Sequence, residues 1–208
     1  MKLYLFIIGV ALAAVSALNI IFEAAPWYYV IIAAVWCVAL QFALDGLIAI
    51  LINKMPDGWF GAENKLYRVS DWERKLYKKL KVRLWKDKIW ELGGLGGFSK
   101  KKLKAPDDPD YIEKFIIECN KGVLTHRLSY PIGFLAMLTL PGVCAFSVAL
   151  PVALVNLFLN VLPTLALRYN TPMLQMLLKK LKNKKVRESA LPRAVIPSAA
   201  ECISRGKF

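Results

Sequence analysis

His126 is the only histidine in the chain, and imidazole is the side chain best suited to moving a proton near neutral pH. It stands at the edge of a 40-residue run, 128–167, that carries no charge. An imidazole placed there can take a proton from a substrate hydroxyl. Glu118 lies eight residues earlier. That is about 80° around a helix and about 12 Å along it, so Glu118 reaches His126 only if the helix breaks near Gly122. Asp45 is the one charge within 27–52 and needs a partner if it is buried there. Arg168 can supply one, and so can Asn156 and Asn160, which share a helix face at i, i+4. Such polar groups also serve as plain glue between helices. No Asp stands five residues after His126, and neither GxSxG nor HExxH occurs. Activation of a protein nucleophile by these familiar arrangements is therefore not indicated.

The elements that must position these groups are written in the hydrophobicity. The chain has 208 residues, is 57% hydrophobic and has a mean hydropathy of +0.42. That composition disfavours a nucleic-acid-binding globule, a disulfide-framed secreted domain and a disordered chain. Residues 3–22 form a charge-free run that is long for the core of a signal peptide, and a second run follows closely, so a retained helix is expected. The second run, 27–52, opens with Trp27, Tyr28 and Tyr29, an aromatic belt. The uncharged stretch 128–167 is about 60 Å long as helix, enough for two crossings. Pro151 near its middle, with Pro141 and Pro163 in the halves, predicts a kinked hairpin with spans at 131–149 and 152–168. The expected fold is an all-α integral membrane protein with about four transmembrane helices and amphipathic cytoplasmic interfacial helices. Residues 1–188 form one membrane domain.

The net charge is +14, unevenly placed. Segment 53–129 holds 18 Lys and Arg against 11 acids, and the chain from Arg168 onward holds 10 against 2. With four spans both basic segments fall on one side, which the positive-inside rule makes cytoplasmic, with the N and C termini there too. Within 53–129, Ser70-Asp71-Trp72-Glu73 is a capping box. The helix it opens has Trp72, Leu76, Tyr77, Leu80 and Leu84 on one stripe and lysines elsewhere, the pattern of a helix lying on anionic lipid or packed on a cytosolic surface. Asp108-Pro109 starts another helix, with an apolar stripe from Tyr111 to Cys119. A basic amphipathic helix is expected at 172–187 and a disordered tail at 189–208. The glycines of 93–97, followed by Lys100, Lys101 and Lys102, lack a phosphate-loop spacing and predict a hinge. The four cysteines show no CxxC or zinc-finger spacing, so neither a disulfide framework nor a metal site is indicated.

The order of blocks is also recognisable. Met55-Pro56-Asp57-Gly58-Trp59-Phe60 follows a span, then Trp72-Glu73, then Val82-Arg83-Leu84-Trp85-Lys86-Asp87-Lys88. Ile116-Ile117-Glu118-Cys119, Leu124-Thr125-His126, Asn160 and Arg168-Tyr169-Asn170 complete the series. From about 45 to 185 the chain resembles the glycosyl-4,4'-diaponeurosporenoate acyltransferase family, which places a fatty acyl chain on a sugar hydroxyl. It departs from that family's usual pattern at Lys121, Gly122 and Val123, where an acid three residues before the histidine is lost. The resemblance implies a bacterial multi-pass cell-membrane enzyme acting on a glycosylated lipid or carotenoid at the cytoplasmic face. His126 would be general base, oriented by Glu118 or Asp45. Trp85, Lys86, Lys88, Asn160, Arg168, Tyr169 and Asn170 would bind substrate headgroup or donor phosphates. No bound cofactor or metal is implied, only an acyl donor, acyl-CoA or acyl-carrier protein, as co-substrate. Membrane lipids and the glycoside are the expected partners, with no nucleic acid. The second reading is a non-enzymatic lipid-binding or partner-supporting membrane protein of the same fold.

Overall fold

The computed structural model describes residues 2–22, 25–89 and 103–190. Six α-helices run through them: α1 (Lys2–Ile21), α2 (Trp27–Asn53), α3 (Asp71–Lys79), α4 (Val82–Trp85), α5 (Pro109–Ile132) and α6 (Leu150–Ala190). No strand occurs among the described residues. Three helical stretches there are long and apolar enough to cross a membrane, Tyr4–Ile21, Trp27–Asn53 and Ala145–Ser189. Their outer faces expose Phe6, Ile21, Ile32, Trp36, Leu51 and Phe158. A soluble monomer rarely shows so much apolar surface, and membrane association accounts for it.

α1 and α2 form an antiparallel pair. Val15 of α1 packs with Val30, Ala33 and Ala34 of α2, together with Cys144 and Val148. Asn19 of α1 donates to the Ser147 carbonyl at 2.9 Å, fastening this end of the bundle. A second and larger core sits at the opposite, lysine-rich end. There Ile48 and Ile52 of α2 meet Phe60, Tyr67, Ile112, Phe115, Ile116 and Val123, and Leu167, Leu174 and Leu178 of α6. The expected stripe from Tyr111 to Cys119 is thus the face α5 turns to α6. Asp108 caps α5 by accepting from the Asp110 amide at 2.9 Å, with Pro109 at the first helical position.

The uncharged stretch folds differently from the expected hairpin. α5 continues to Ile132 and passes into a 3₁₀ helix, Gly133–Thr139. The chain reverses at Pro141–Gly142, not at Pro151. Gly142 has φ +57°, which an L side chain adopts only under strain. Pro151 instead stands inside a continuous helical stretch, just after the π-helical turn that leads into α6, where its missing N–H leaves one carbonyl of the preceding turn without its helical bond. A π-helical turn, Ala145–Ala149, leads into α6. The separate basic helix expected at 172–187 is the second half of α6, which runs unbroken through Pro163 and Pro172 to Ala190. Each proline removes one backbone bond, and packing of Leu167, Leu174 and Leu178 along α5 outweighs that loss.

The capping box at Ser70 is present, with Ser70 accepting from the Glu73 amide and Glu73 accepting from the Ser70 amide. The helix after it is shorter than its stripe predicts, because Lys81 takes a left-handed conformation (φ 49°) that separates α3 from α4. Tyr77 turns inward and is buried, while Trp72, Leu80 and Leu84 point out. Cys37 and Cys144 are buried free thiols, and Cys119 is buried on α5. Of the disordered tail expected at 189–208, Ser189 and Ala190 are instead the last residues of α6, while 191–208, with Cys202, and the hinge expected at 93–97 lie outside the described residues.

Candidate functional site

A cavity of about 870 Å³ lies between α1, α2, α5 and α6. Each helix gives it one face. Along α2 the lining runs from Val38 to Asn53, about 22 Å of helix axis. Most of the wall is apolar, and at the lysine-rich end Asn53, Lys86, Lys114 and Lys121 border it. Asn53 and Lys114 are exposed, so among the described residues the cavity has a mouth at this end. Such a volume suits a substantial organic ligand.

The polar groups singled out by the sequence converge partway down. Nδ1 of His126 lies 2.7 Å from Oδ1 of Asn160. The Asn160 amide nitrogen donates to Oδ2 of Asp45 at 3.3 Å, and to the backbone carbonyl and Oδ1 of Asn156, each at 3.1 Å. A backbone carbonyl only accepts, so the Asn160 amide can face only one way. Its oxygen then meets Nδ1 of His126, which must carry the proton. Nε2 is left as the basic nitrogen of the neutral ring. Asp45 thus reaches His126 through Asn160. Ser129, one turn after His126 on α5, stands beside the Asp45 carboxyl without completing a hydrogen bond.

Glu118 lines the same cavity, but its carboxylate pairs with Lys121 at 3.9 Å, and Asn160 holds Nδ1 in its place. α5 is continuous through Gly122, so the break that would turn Glu118 toward His126 does not occur. Lys121 itself is buried and donates to Asp57 at 2.6 Å.

The family model described as glycosyl-4,4'-diaponeurosporenoate acyltransferase matches residues 63–180. The chain belongs to this family. Neither the curated proteins nor the solved structures gave a match. The protein is therefore an acyltransferase of a carotenoid-biosynthetic family, and α1, α2 and Asp45 lie outside the matched stretch.

Of the residues expected to bind this acyltransferase's substrates, Lys86 and Asn160 line the cavity. Lys86 also pairs with Asp87 at 3.1 Å and lies 5.8 Å from the centre of the Tyr169 ring. Trp85 donates from its indole to the Leu80 carbonyl, and Lys88 is exposed away from the cavity. Tyr169 packs on Tyr77, and Asn170 is half-buried outside the lining. Arg168 is 4% exposed and is engaged elsewhere. Its Nε and Nη2 chelate Glu73 at 2.9 and 2.7 Å, and Nη2 also donates to the Arg68 carbonyl at 3.1 Å. Arg168 therefore neither lines the cavity nor partners Asp45.

Glu73 is the residue whose second role the sequence hides. It closes the capping box and receives Arg168, with Arg127 at 3.9 Å. Burial opposes its ionisation, but the hydrogen bonds from Arg168 and Ser70 and the charges of Arg168 and Arg127 outweigh this and hold its carboxyl below the ordinary value. Capping-box spacing announces a local bond three residues away, not a partner 95 residues on. Lys114 and Ser129 were equally silent, and their positions on the α5 stripe with Glu118 and His126 would have been the only signal.

Proposed function

We propose that this acyltransferase moves a fatty acyl chain from a thioester donor to a hydroxyl of a glycosylated carotenoid at the cytoplasmic face of the bacterial cell membrane. His126 is the general base. Its Nε2 takes the proton from the substrate hydroxyl as that oxygen attacks the acyl carbonyl carbon. The carbonyl carbon–sulfur bond then breaks, and the imidazolium returns the proton to the leaving thiolate. Asn160 fixes the tautomer, and Asp45 behind it favours the imidazolium that forms. The donor is acyl-CoA or acyl-carrier protein, and Lys86 and Lys114 at the mouth face its phosphate. The glycoside and membrane lipids are the other partners.

The membrane placement follows from the same features. α1, α2 and the first half of α6 cross the bilayer, and the arm from Leu128 to Leu140 makes the fourth passage. That arm is only roughly 21 Å long as α-helix plus 3₁₀ helix, less than the ~30 Å hydrocarbon core, so the reversal at Gly142 stays beneath the far interface. Both termini are cytoplasmic. Exposed Trp59, Leu66, Trp72 and Leu84, with cations of α3 between them, lay the 53–89 segment on the headgroups.

The observation that carries this reading is the bridge from His126 through Asn160 to Asp45, placed at the wall of an apolar cavity in a chain of an acyltransferase family. Its test is expression in cells that make the carotenoid glycoside, with the acyl ester read by mass spectrometry. Ester appears with the wild-type chain and is absent with empty vector. Equal profiles would instead support the lipid-binding, non-enzymatic reading.

A further inference from the structure

The polar bridge divides the cavity into two unlike halves. Between Asp45 and the mouth the wall includes Gly46, Ala49 and Gly122, and a Cβ added at Gly46 meets nothing within 4 Å. Beyond the bridge the wall is mainly apolar, with Gln41, whose amide is held by the Gly133 carbonyl, Ser129 and Asn156 as its polar members, and it includes Ala11 and Val155. α1 and α2 are antiparallel, and Val15 packs with Val30, Ala33 and Ala34. That register brings Ala11 about level with Val38, which is seven residues, or roughly 10 Å, beyond Asp45. Val155 precedes Asn160 by five residues on α6, so it faces the same depth from the opposite wall, roughly 7 Å beyond the bridge.

We propose that the half beyond the bridge is the acyl-chain pocket, and that Ala11 and Val155 set the longest chain it accepts. This rests on thioester acyl transfer at His126. A thioester donor must place three parts at once: a phosphate-bearing head, a carbonyl at the base and an apolar tail. The head cannot enter the apolar half without losing its hydration uncompensated, and Lys86 and Lys114 stand at the mouth. From Lys114 to His126 is twelve residues of α5, about 18 Å, the length scale of an extended phosphopantetheine arm. With the head at the mouth and the carbonyl at His126, the tail continues in the same direction. Only the far half lies there. The small side chains at Gly46, Ala49 and Gly122 then leave width for the arm and the incoming sugar on the near side, where chain length is not sensed.

The experiment reads the acyl-length distribution of the ester formed in cells that make the glycoside, so it does not depend on which thioester carrier is used. Ala11→Phe and Val155→Phe each shorten the distribution, with the longest chains lost first. Gly46→Leu, on the near side, lowers the total ester and leaves the distribution unchanged. The proposal is overturned if the two far-side variants still form ester with the wild-type distribution, or if Gly46→Leu is the one that shifts it. Ala11→Leu and Val155→Leu give the same reading should a Phe variant fail to accumulate in the membrane. Absence of ester from the wild-type chain strikes the acyl-transfer reading itself, a different result from an unchanged chain length.

Discussion

At the scale of single residues, Asn160 decides how His126 can act. An imidazole alone has two tautomers, and the Asn160 carbonyl selects the one with Nε2 unprotonated. Asn160→Ala removes that selection and separates Asp45 from the ring. It should lower ester formation by about 10-fold or more, while Glu118→Gln, which disturbs only a 3.9 Å pair with Lys121, should change it less than about 3-fold. Parallel ester assays on membranes with matched protein levels check both. His126, Asp45 and Asn160 were all legible in the sequence, because lone polar groups in uncharged runs are few enough to enumerate. Sequence spacing offers Glu118 beside Asp45 as the orienting acid for a geometric reason. Glu118 is on the same helix as His126 but about 80° away, whereas Asp45 is far in sequence and needs an asparagine to bridge the gap. Spacing reports the first relation and is blind to the second.

At the scale of elements, two joints hold the site's frame. The Glu73–Arg168 chelate locks α3 onto α6, and both partners are largely buried. Removing one leaves the other unpaired, so Arg168→Ala should destabilise the protein by about 3–5 kcal/mol, read as a lowered thermal midpoint. The carboxyl of Glu73 is held below its ordinary value. Its stabilising contribution is therefore complete above the ordinary glutamate range and lost as pH falls through the depressed folded value. Thermal unfolding from pH 7 downward should show this loss in the wild type and a flatter profile in Glu73→Gln. The second joint is Gly133, where an added Cβ would lie 2.8 Å from the Asn156 amide nitrogen. Gly133→Ala must displace Asn156, which accepts from Asn160, so ester formation should fall although neither residue touches His126. Capping boxes and the Asp108–Pro109 start were readable because they are local. The reversal at Gly142 and the unbroken α6 were not. Four prolines in 141–172 offer competing break points, and tertiary packing on α5 chooses among them.

At the scale of the whole molecule, charge and hydrophobicity divide the chain into an apolar bundle and a basic end, and the cavity joins the two. The +14 excess announced that division in the sequence, but only the structure shows which cations border the cavity. Lys86 and Lys114 do, while Arg168 and Lys88 do not. The family match spans 63–180, yet α1 walls the cavity and α2 carries Asp45, so the functional unit extends beyond the matched stretch. The central claim is that His126 is the base for acyl transfer. It is tested most directly by measuring ester formation with His126→Gln, which keeps a polar side chain of similar size, beside its thermal midpoint. Ester should fall by roughly 10²–10⁴-fold with the midpoint near that of the wild type. Ester at the wild-type level from a folded His126→Gln protein would contradict it.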